Sequence, residues 1–506
     1  MAKTIMLQGT SSHVGKSILT TALCRIFLQD GQKVVPFKAQ NMALNSYVTK
    51  TGDEMGRAQV AQAEAAGLEP MVEMNPVLLK PTGNSSSQVI LMGKSIGNMS
   101  AKEYHTGYSL KALGVIKECL DTLGAEFDTI VIEGAGSPAE VNLKANDIVN
   151  MRIAKLLSAP VLLIADIDRG GALASVVGTL ELLEPDERAL IKGIIINKFR
   201  GDLDLLKPAL DFLEAKTGKP VIGVVPHLDQ LGIDDEDSVS LDDKQSHIVK
   251  ELDIAVIRTP KISNFTDFDA LASEIDVTVR YIQPGEALGK PDLILLPGSK
   301  NTIEDLLYLR KQGYEQEIIS LVNTGTPLIG ICGGYQMLGK QIYDPEHTES
   351  DLDTIAGIGL LDIATTFVAD KVTHQITATC NHNGFLGLDL SCEHLTGYEI
   401  HMGRTEFLSE VDHAFMISSR SGQATQDADG VVRSDGLVMG TYIHGIFDND
   451  RYRRSLLNAL RVAKGLEPIT EINDTYTRKQ YSYNRLADTV RSSLNMDLLY
   501  KIVGDK

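Results

Sequence analysis

The chain has 506 residues, a formal net charge of −19 and a pI near 5.1. A chain of this length is too long to fold around one hydrophobic core, so we expect at least two domains. The acidic charge argues against nucleic acid as a main partner, because phosphate binding requires a basic surface.

Two further features bear on where the protein works. No apolar run reaches transmembrane length, and the opening MAKTIMLQGT reads as a short strand, so we expect a cytoplasmic protein without a membrane partner. The cysteines form no C-x-x-C pair, which indicates free thiols in a reducing compartment. They are Cys24, Cys119, Cys332, Cys380 and Cys392.

The first half of the chain alternates short apolar runs with longer amphipathic stretches such as KSILTTALCRIFLQD. The runs are rich in Val and Ile and nearly continuous, as in buried strands of a parallel sheet. They read TIMLQG, KVVPFKA, TIVIEGAG, APVLLIADID, IKGIIIN and PVIGVVP. This pattern predicts a doubly wound α/β domain over residues 1–230.

The stretch GTSSHVGKS follows the first predicted strand and opens the first predicted helix, which is the context of a phosphate-binding P-loop. Backbone N–H groups of such a loop wrap the phosphates of ATP, a lysine adds positive charge, and a serine binds Mg²⁺. The predicted nucleotide-binding residues here are Gly9, Thr10, Val14, Gly15, Lys16 and Ser17.

Acidic residues follow two of the predicted strands, where ligands bind in this type of sheet. Glu133 is the predicted second protein ligand of the metal, beside Ser17. Asp166 and Asp168 occupy the same kind of position. Each of these acids is also suited to capping the following helix, so both roles stay open.

The alternation stops after Pro226, and residues 231–251 are acidic and weakly periodic. We interpret them as a linker, with a surface loop as the alternative. Strand-like runs resume with LDIAVIRTP, VTVRYIQ, DLILLPG, TPLIGIC and GLVMGTYIHG. They predict a second α/β domain over residues 252–465, followed by a C-terminal helical segment, 466–506, that contains LADTVRSSLNMDLLYKIV.

The second domain contains a candidate nucleophile in PLIGICGGYQML. Glycines beside Cys332 allow the sharp strand-to-helix turn that exposes a nucleophilic side chain, and the helix N-terminus lowers a thiol pKa. His444, at a strand end beside glycine, is the predicted base, with His401 as its competitor. Gly298 and Gly333 are the predicted sources of oxyanion-stabilising N–H groups.

The motifs GTSSHVGKS, VVPFKA, VIEGAGS and IIINKF resemble the dethiobiotin synthetase group of ATP-dependent enzymes. The resemblance implies that Glu133 binds Mg²⁺, that Lys38 faces the substrate carboxylate or the transferred phosphate, and that Asn197 reads adenine. Related dimerising ATPases have a signature lysine where this chain has Ser11, which argues against a molecular switch.

The elbow cysteine, the late histidine and the LPGSKNT stretch resemble a class I glutamine amidotransferase. Most members of that class have a glutamate two residues after the histidine, where this chain has Ile446. The third member of the triad is therefore absent or supplied from elsewhere. From this gap we expect weak glutaminase activity at rest that rises when ATP and acceptor bind.

A longer ordered set of motifs resembles the cobyric acid synthase family. The set is KAQNMALNS, GRAQVAQA, NPVLLKP, ADIDRGG, NKFRGD, RTPKISNFTDFDAL, LPGSKNT and GYEIHMG. It implies ATP- and glutamine-dependent amidation of the b, d, e and g carboxylates of adenosylcobyrinic acid a,c-diamide. The alternative is cobyrinic acid a,c-diamide synthase, or another glutamine-dependent amide synthetase with the same two domains.

The resemblance also indicates what the protein binds. Glutamine, a corrinoid acceptor, ATP and Mg²⁺ are the implied partners, no tightly bound organic cofactor is expected, and a homodimer stays open. A corrinoid requires a pocket with many hydrogen-bonding side chains. The candidates for contact with the acceptor are Lys38, Asn41, Asn45, Asp147, Asp166 and Asp168.

Overall fold

The computed structural model describes residues 2–82, 86–228, 231–233, 250–380, 384–387 and 394–504. The chain forms two compact units that do not follow the linear division expected from the sequence. The first comprises Met1–Met42, Met55–Ile233 and Lys479–Lys506, and the second comprises Ala43–Glu54 and Asp234–Arg478. Most of the predicted linker 231–251, and also Cys392, lie outside the described residues.

The first unit is built on a six-stranded sheet in which every neighbouring pair is parallel. Each strand falls in one of the six predicted apolar runs, so the predicted doubly wound sheet is confirmed. In sheet order, the strands are Val221–Pro226, Ile191–Phe199, Val161–Asp166, Lys3–Gly9, Thr129–Glu133 and Val34–Phe37.

A second, four-stranded sheet of this unit was not predicted; its strands are Gln40–Met42, Val77–Pro81, Ser86–Leu91 and Lys94–Ser100. The α-helices of the unit are Lys16–Gln29, Arg57–Ala65, Ala101–Glu103, Ser109–Glu126, Met151–Leu157, Ala172–Leu182, Pro185–Leu190, Leu203–Thr217, Thr475–Ser493 from Lys479 onwards, and Met496–Val503.

The C-terminal helical segment packs into the core of the first unit. Leu486 and Val490 are fully buried in the same cluster as Leu23 and Phe27 of the first helix. The helical segment predicted over residues 486–503 consists of the end of one helix, Thr475–Ser493, and a second helix, Met496–Val503. The helical hydrogen bonding is interrupted at Asn495, whose backbone N–H donates to Ile222 O (2.7 Å). The side chain of Asn495 then caps the final helix.

The second unit also contains the predicted parallel sheet. Its strands, in order, are Val277–Ile282, Leu252–Ile257, Leu293–Leu296, Leu328–Ile331, Val438–Thr441 and the antiparallel edge strand Val431–Val432. An unpredicted mixed, mainly antiparallel sheet contains Gln341–Tyr343, Thr354–Ala356, Ile363–Cys380, Leu395–Phe407, Phe415–Arg420, Gln423–Asp429 and Ile443–His444.

The remaining elements of the second unit are short strands and helices. Gly298–Ser299 pairs antiparallel with Ile262–Ser263. Strand Ser46–Val48 lies in the segment Ala43–Glu54, which belongs to the second unit, and strand Glu54–Gly56 begins at the last residue of that segment. The 3₁₀ helices of the unit are Phe265–Phe268, Phe385–Gly387 and Ile446–Asp448. Its α-helices are Asp269–Ala272, Thr302–Gln312, Tyr314–Asn323, Gly333–Leu338, Asp450–Ala463 and the start of Thr475–Ser493.

Candidate active sites

The predicted P-loop connects strand Lys3–Gly9 to helix Lys16–Gln29. Gly15 has φ +96°, and a Cβ atom there would lie 2.2 Å from Asn197 Nδ2, so the position requires glycine. Asn197 Nδ2 donates to Val14 O (2.8 Å) and thereby fixes the loop. Its predicted contact with adenine stays a prediction, since the contact seen here is with the loop.

The ammonium group of Lys16 connects the P-loop to a neighbouring turn. It donates to Ser11 O (3.0 Å) and to Gly136 O (3.1 Å). The second acceptor lies in the glycine-rich turn after Glu133, so the loop and that turn are joined through a lysine suited to holding phosphates.

Glu133 lies at the centre of a buried polar cluster. Its Oε1 accepts hydrogen bonds from Ser17 Oγ (2.8 Å) and Lys38 Nζ (2.8 Å), and its Oε2 accepts one from Gln62 Nε2 (2.6 Å). Glu133 and Lys38 are 1% and 4% exposed, so their ion pair is shielded from water. Gln62 was not predicted, because it lies on a helix with no motif that links it to Glu133.

The oxygen atoms of this cluster fit a magnesium ion. Mg²⁺ prefers carboxylate and hydroxyl oxygens, and it usually keeps several water ligands. Ser17 and Glu133 supply such oxygens side by side, and Gln62 Oε1 is buried without a hydrogen-bond partner among the described residues. The structure therefore brings together the two residues that the sequence predicted as metal ligands.

The other strand-end acids bind protein groups. Asp166 Oδ2 accepts from Lys198 Nζ (2.9 Å), which also donates to His13 O of the P-loop (2.6 Å). Asp168 is half-exposed, and its carboxylate lies 3.7 Å from Arg200 Nε. Both acids thus lie at the sheet edge where they were expected.

A cavity of about 350 Å³ borders the P-loop at Ser12 and the turn at Gly136. Polar side chains in its lining include Gln40, Tyr104, Asn146 and Asp147. The Asp147 carboxylate also accepts from the backbone N–H groups of residues 149, 150 and 152, at the start of helix Met151–Leu157. It therefore combines a capping contact with a position on the cavity wall.

Two residues predicted to contact the acceptor are hydrogen-bonded to other protein groups. Asn41 is 2% exposed, and its amide group bonds Gln59 Oε1 and the backbone of Met42. Asn45 is fully buried in the second unit, where it accepts a hydrogen bond from Thr266. Their predicted contacts with the acceptor stay predictions, since the bonds seen here are to protein groups.

Cys332 forms a sharp turn between strand Leu328–Ile331 and helix Gly333–Leu338. Its φ of 53° and ψ of −110° are unusual for a residue with a side chain and match the strain of a nucleophile elbow. A Cβ atom on Gly334 would lie 2.0 Å from Leu296 O, so this close approach explains the second glycine.

His444 has the carboxylate partner that the sequence did not reveal. Its Nδ1 lies 2.6 Å from Oδ2 of Asp267, and Oδ1 of the same residue accepts from Gly445 N (3.0 Å). The carboxylate comes from the turn Phe265–Phe268, while Ile446 is fully buried. The carboxylate partner of His444 is therefore supplied from elsewhere in the chain, which is one of the two possibilities that the sequence left open, and the expected weak resting activity loses its premise.

The electrostatic setting of His444 favours its charged form. Burial lowers its pKa, but the charge and hydrogen bond of Asp267, with a smaller contribution from Cys332, outweigh burial and raise the pKa to about 10. An imidazolium beside the cysteine stabilises the thiolate, which is the nucleophilic form.

The competing histidine has the opposite environment. Burial lowers the pKa of His401 to about 3, and its ring stacks on Tyr442 with centroids 3.8 Å apart. A histidine held neutral in this way packs against a neighbour and does not pair with a thiolate. The geometry favours His444 as the base.

The two predicted oxyanion glycines lie close to this centre. A Cβ atom on Gly298 would lie 3.2 Å from His444 Cε1, and one on Gly333 would lie 2.8 Å from Ser299 N. Side chains at these positions would crowd the histidine and the facing strand. The glycines therefore permit close backbone approach at the nucleophile.

Comparisons with known proteins identify the domain type of each half of the chain. Residues 5–239 match the CobQ/CobB/MinD/ParA nucleotide binding domain, and residues 253–452 match the CobB/CobQ-like glutamine amidotransferase domain. A cobyric acid synthase of Pelotomaculum thermopropionicum is 56% identical, over 100% of this chain and 97% of the relative. The chain belongs to the cobyric acid synthase family.

Further members of the family match equally completely. The cobyric acid synthases of Moorella thermoacetica and Streptococcus sanguinis are 55% and 53% identical, over 100% of this chain and 98% and 99% of theirs. Among solved structures, PurLQS from Thermotoga maritima is 17% identical with a TM-score of 0.31, over 46% of this chain and 99% of that chain.

Family membership establishes the class of reaction. The chain is a glutamine-dependent, ATP-using amidotransferase of the ligase class, and it acts in cobalamin biosynthesis. Across the described part of the chain, every helix is too short or too polar to cross a lipid bilayer.

Proposed function

We propose that the protein amidates the b, d, e and g carboxylates of adenosylcobyrinic acid a,c-diamide, with glutamine as nitrogen donor, to give adenosylcobyric acid. The observation that carries this proposal is the presence of two complete centres in one chain. One has a cysteine with a charged histidine–aspartate pair, and the other has a P-loop beside a buried Ser17–Glu133–Lys38 cluster.

The second unit releases ammonia from glutamine. The Cys332 thiolate attacks the side-chain amide carbon, and N–H groups around Gly298 and Gly333 stabilise the oxyanion. The His444 imidazolium donates a proton to the departing nitrogen, so that ammonia leaves and a thioester forms. Water, deprotonated by His444, then hydrolyses the thioester to glutamate and frees the cysteine.

The first unit activates the acceptor. A corrinoid carboxylate attacks the γ-phosphate of ATP, the bond to the β-phosphate oxygen breaks, and an acyl phosphate and ADP result. Ammonia then attacks the acyl carbon, phosphate leaves, and the loss of a proton gives the amide. Lys16 stabilises the phosphate charge, and Lys38, close to Glu133, is positioned to face the transferred group.

Magnesium is the metal that this site would hold. Ser17 and Glu133 are its proposed protein ligands, and the ion supplies charge neutralisation at the β- and γ-phosphates. Lys38 Nζ and Ser17 Oγ both donate to Oε1 of Glu133, so Lys38 lies beside the proposed metal ligands. We expect Lys38 to interact with the transferred phosphate or the carboxylate.

We propose that one carboxylate arm of the corrinoid enters the cavity of about 350 Å³ beside the P-loop. A whole corrinoid is too large for this space, but a propionate arm fits it. Gln40, Asn146 and Asp147 offer polar groups along its wall. This position would bring the reacting carboxylate next to the P-loop, which the cavity borders at Ser12.

The number of amides formed tests the substrate assignment. Purified protein is incubated with glutamine, ATP, Mg²⁺ and adenosylcobyrinic acid a,c-diamide, and the corrinoid products are analysed by mass spectrometry. Four successive replacements of hydroxyl by amino are expected. Amidation of cobyrinic acid at two positions, with no reaction of the diamide, would show that the protein has the alternative activity.

A further inference from the structure

We infer that the inserted segment Ala43–Glu54 is a positioning element of the glutaminase centre, because it holds the residues that fix His444 and Asp267. The inference rests on the proposed role of His444 as base, and it adds residues outside the amidotransferase domain match at 253–452. The segment enters the second unit from Met42 and returns to the first at Met55.

The segment binds the turn that carries Asp267. Thr266 Oγ1 donates to Asn45 Oδ1 (3.1 Å), and the backbone N–H of Ser46 donates to Asn264 Oδ1 (3.2 Å). Asn264 starts this turn in the left-handed conformation, with φ 52°, and its carbonyl accepts from Asp267 N (3.1 Å). The segment therefore contacts the residue before Asp267 and the residue that begins its turn.

The same segment fixes the other neighbour of His444. The ring of Tyr398 stacks on the imidazole with centroids 5.2 Å apart and an interplanar angle of 16°. Its hydroxyl accepts from Asn264 Nδ2 (3.2 Å) and donates to Ser46 O (3.3 Å). Val48 packs against Tyr398 in a small apolar cluster. Asn264, Tyr398 and Ser46 thus form one hydrogen-bonded group around the imidazole.

These hydrogen bonds are buried, so the loss of one of them leaves its partner unsatisfied. Asn45 and Ser46 are 0% exposed and Asn264 is 2% exposed, so water does not readily replace a lost partner. Two further contacts anchor the segment, from Lys371 Nζ to the Glu54 carboxylate and from Thr373 Oγ1 to Gly52 O. A rigid, dry set of bonds of this kind is what holds a catalytic pair in one geometry.

The inserted segment lies in the chain between two residues that bind Glu133. Lys38 precedes it and Gln62 follows it, and both bind Glu133 in the first unit. A single stretch of chain thus supplies residues to the phosphate centre and to the support of the glutaminase histidine.

Two substitutions test the inference. Tyr398→Phe keeps the ring but removes the hydroxyl, and Thr266→Val removes the bond to Asn45 while keeping the shape. Each should lower kcat/KM for glutamine hydrolysis about five- to twentyfold, as expected for the loss of two buried hydrogen bonds in Tyr398→Phe and of one in Thr266→Val. Ammonia-dependent synthesis should stay within about twofold of wild type, because its residues lie in the first unit.

Matched controls separate positioning from general stability. Thr266→Ser keeps the hydroxyl and should restore most of the activity. Thr51→Val removes a bond to Asp53 at the exposed turn of the same segment and should leave hydrolysis unchanged. The pH profile is the specific readout, because looser contact with Asp267 lowers the pKa of His444 and moves the alkaline limb to lower pH.

The outcomes distinguish this inference from the proposed function. Wild-type rates and unshifted pH profiles in both Tyr398→Phe and Thr266→Val would overturn the positioning role while leaving the glutaminase assignment intact. Retention of full glutamine hydrolysis in His444→Ala would instead overturn the assignment on which the inference rests. Equal losses of the glutamine and ammonia reactions in both variants would show a purely structural role, and the inference would be wrong.

Discussion

His444 Nδ1 lies 2.6 Å from Asp267 Oδ2, although the two residues are 177 positions apart in the chain. We expect this carboxylate to have the role of the glutamate that lies two residues after the histidine in most class I amidotransferases, which is to orient the ring and stabilise its positive charge. It belongs to the turn Phe265–Phe268, which follows strands Leu252–Ile257 and Ile262–Ser263 in the chain. The triad is thus completed by a residue that no local motif around His444 could indicate.

Asp267→Asn is expected to lower kcat/KM for glutamine hydrolysis by about 10²- to 10⁴-fold, since the amide neither holds the imidazolium nor fixes its tautomer. The wild-type pKa near 10 depends on this carboxylate, so the alkaline limb of the pH profile should move to lower pH in the variant. Steady-state glutamate release between pH 6 and 10.5 measures both effects.

A second variant tests whether a carboxylate at position 446, the usual position in the class, can replace that of Asp267. Ile446→Glu introduces an acid at the usual position of the class, but Ile446 is fully buried in an apolar cluster. We expect it not to rescue Asp267→Asn and to destabilise the protein. Rescue by Ile446→Glu would contradict the assignment of Asp267.

Cys332→Ala should abolish glutamine-dependent amidation while synthesis from high ammonium chloride continues. The physical reason is that the thiolate acts only in ammonia release, in the second unit. The measurement is amide formation by mass spectrometry with each nitrogen source. Loss of both reactions in a variant with an unchanged unfolding midpoint would contradict the division of labour between the units.

Much of this architecture could be predicted because its signals are local. Continuous Val- and Ile-rich runs predict buried parallel strands, and the P-loop and the Cys332 elbow depend on glycines next to the functional residue. Among the partners of Glu133, Ser17 belongs to the P-loop motif and Lys38 follows a strand, so both could be predicted. Gln62 lies in the quoted motif GRAQVAQA, but nothing in that motif indicates a contact with Glu133.

The features that the sequence did not indicate depend on long-range packing. The strand Ile363–Cys380 is largely half-exposed and so lacks the continuous apolar run of the parallel strands. The polar side chain of Asn45 accepts a hydrogen bond from Thr266, 221 positions away in the chain, and no local pattern indicates this partner. The alternation of apolar and polar residues and the composition indicate which residues are buried, but they do not indicate which distant groups become hydrogen-bond partners.

Glu133→Gln should remove amide formation with both nitrogen sources, because its carboxylate is a proposed ligand of Mg²⁺ and the partner of Lys38. We expect a fall of more than about 10²-fold in ADP release, with glutamine hydrolysis largely retained. Glu181→Gln, at an exposed carboxylate, is the control. Full ammonia-dependent activity in Glu133→Gln would mean that another residue binds the metal.

The C-terminal segment should stabilise the first unit. Leu486 is fully buried in the cluster that contains Leu23 and Phe27, so Leu486→Ala should lower the free energy of unfolding by about 2–5 kcal/mol. Urea unfolding followed by circular dichroism measures the change. The exposed Tyr481→Ala, on the same helix, is the control and should change stability by less than about 1 kcal/mol. Equal effects would contradict the packing described.

The resting glutaminase activity gives the clearest test of how complete the second site is. A histidine without a carboxylate partner would predict a site that assembles only when ATP and acceptor bind. With Asp267 in place and His444 1% exposed, the structure instead predicts an assembled site in the free protein. Glutamate release with glutamine alone should therefore lie within about tenfold of the rate in the full mixture, a difference of about 1.4 kcal/mol in barrier height. Assays with ATP alone, with acceptor alone and with both identify which ligand causes any rise. Stimulation by more than about a hundredfold would show that the geometry of Cys332, His444 and Asp267 described here is not the reactive one.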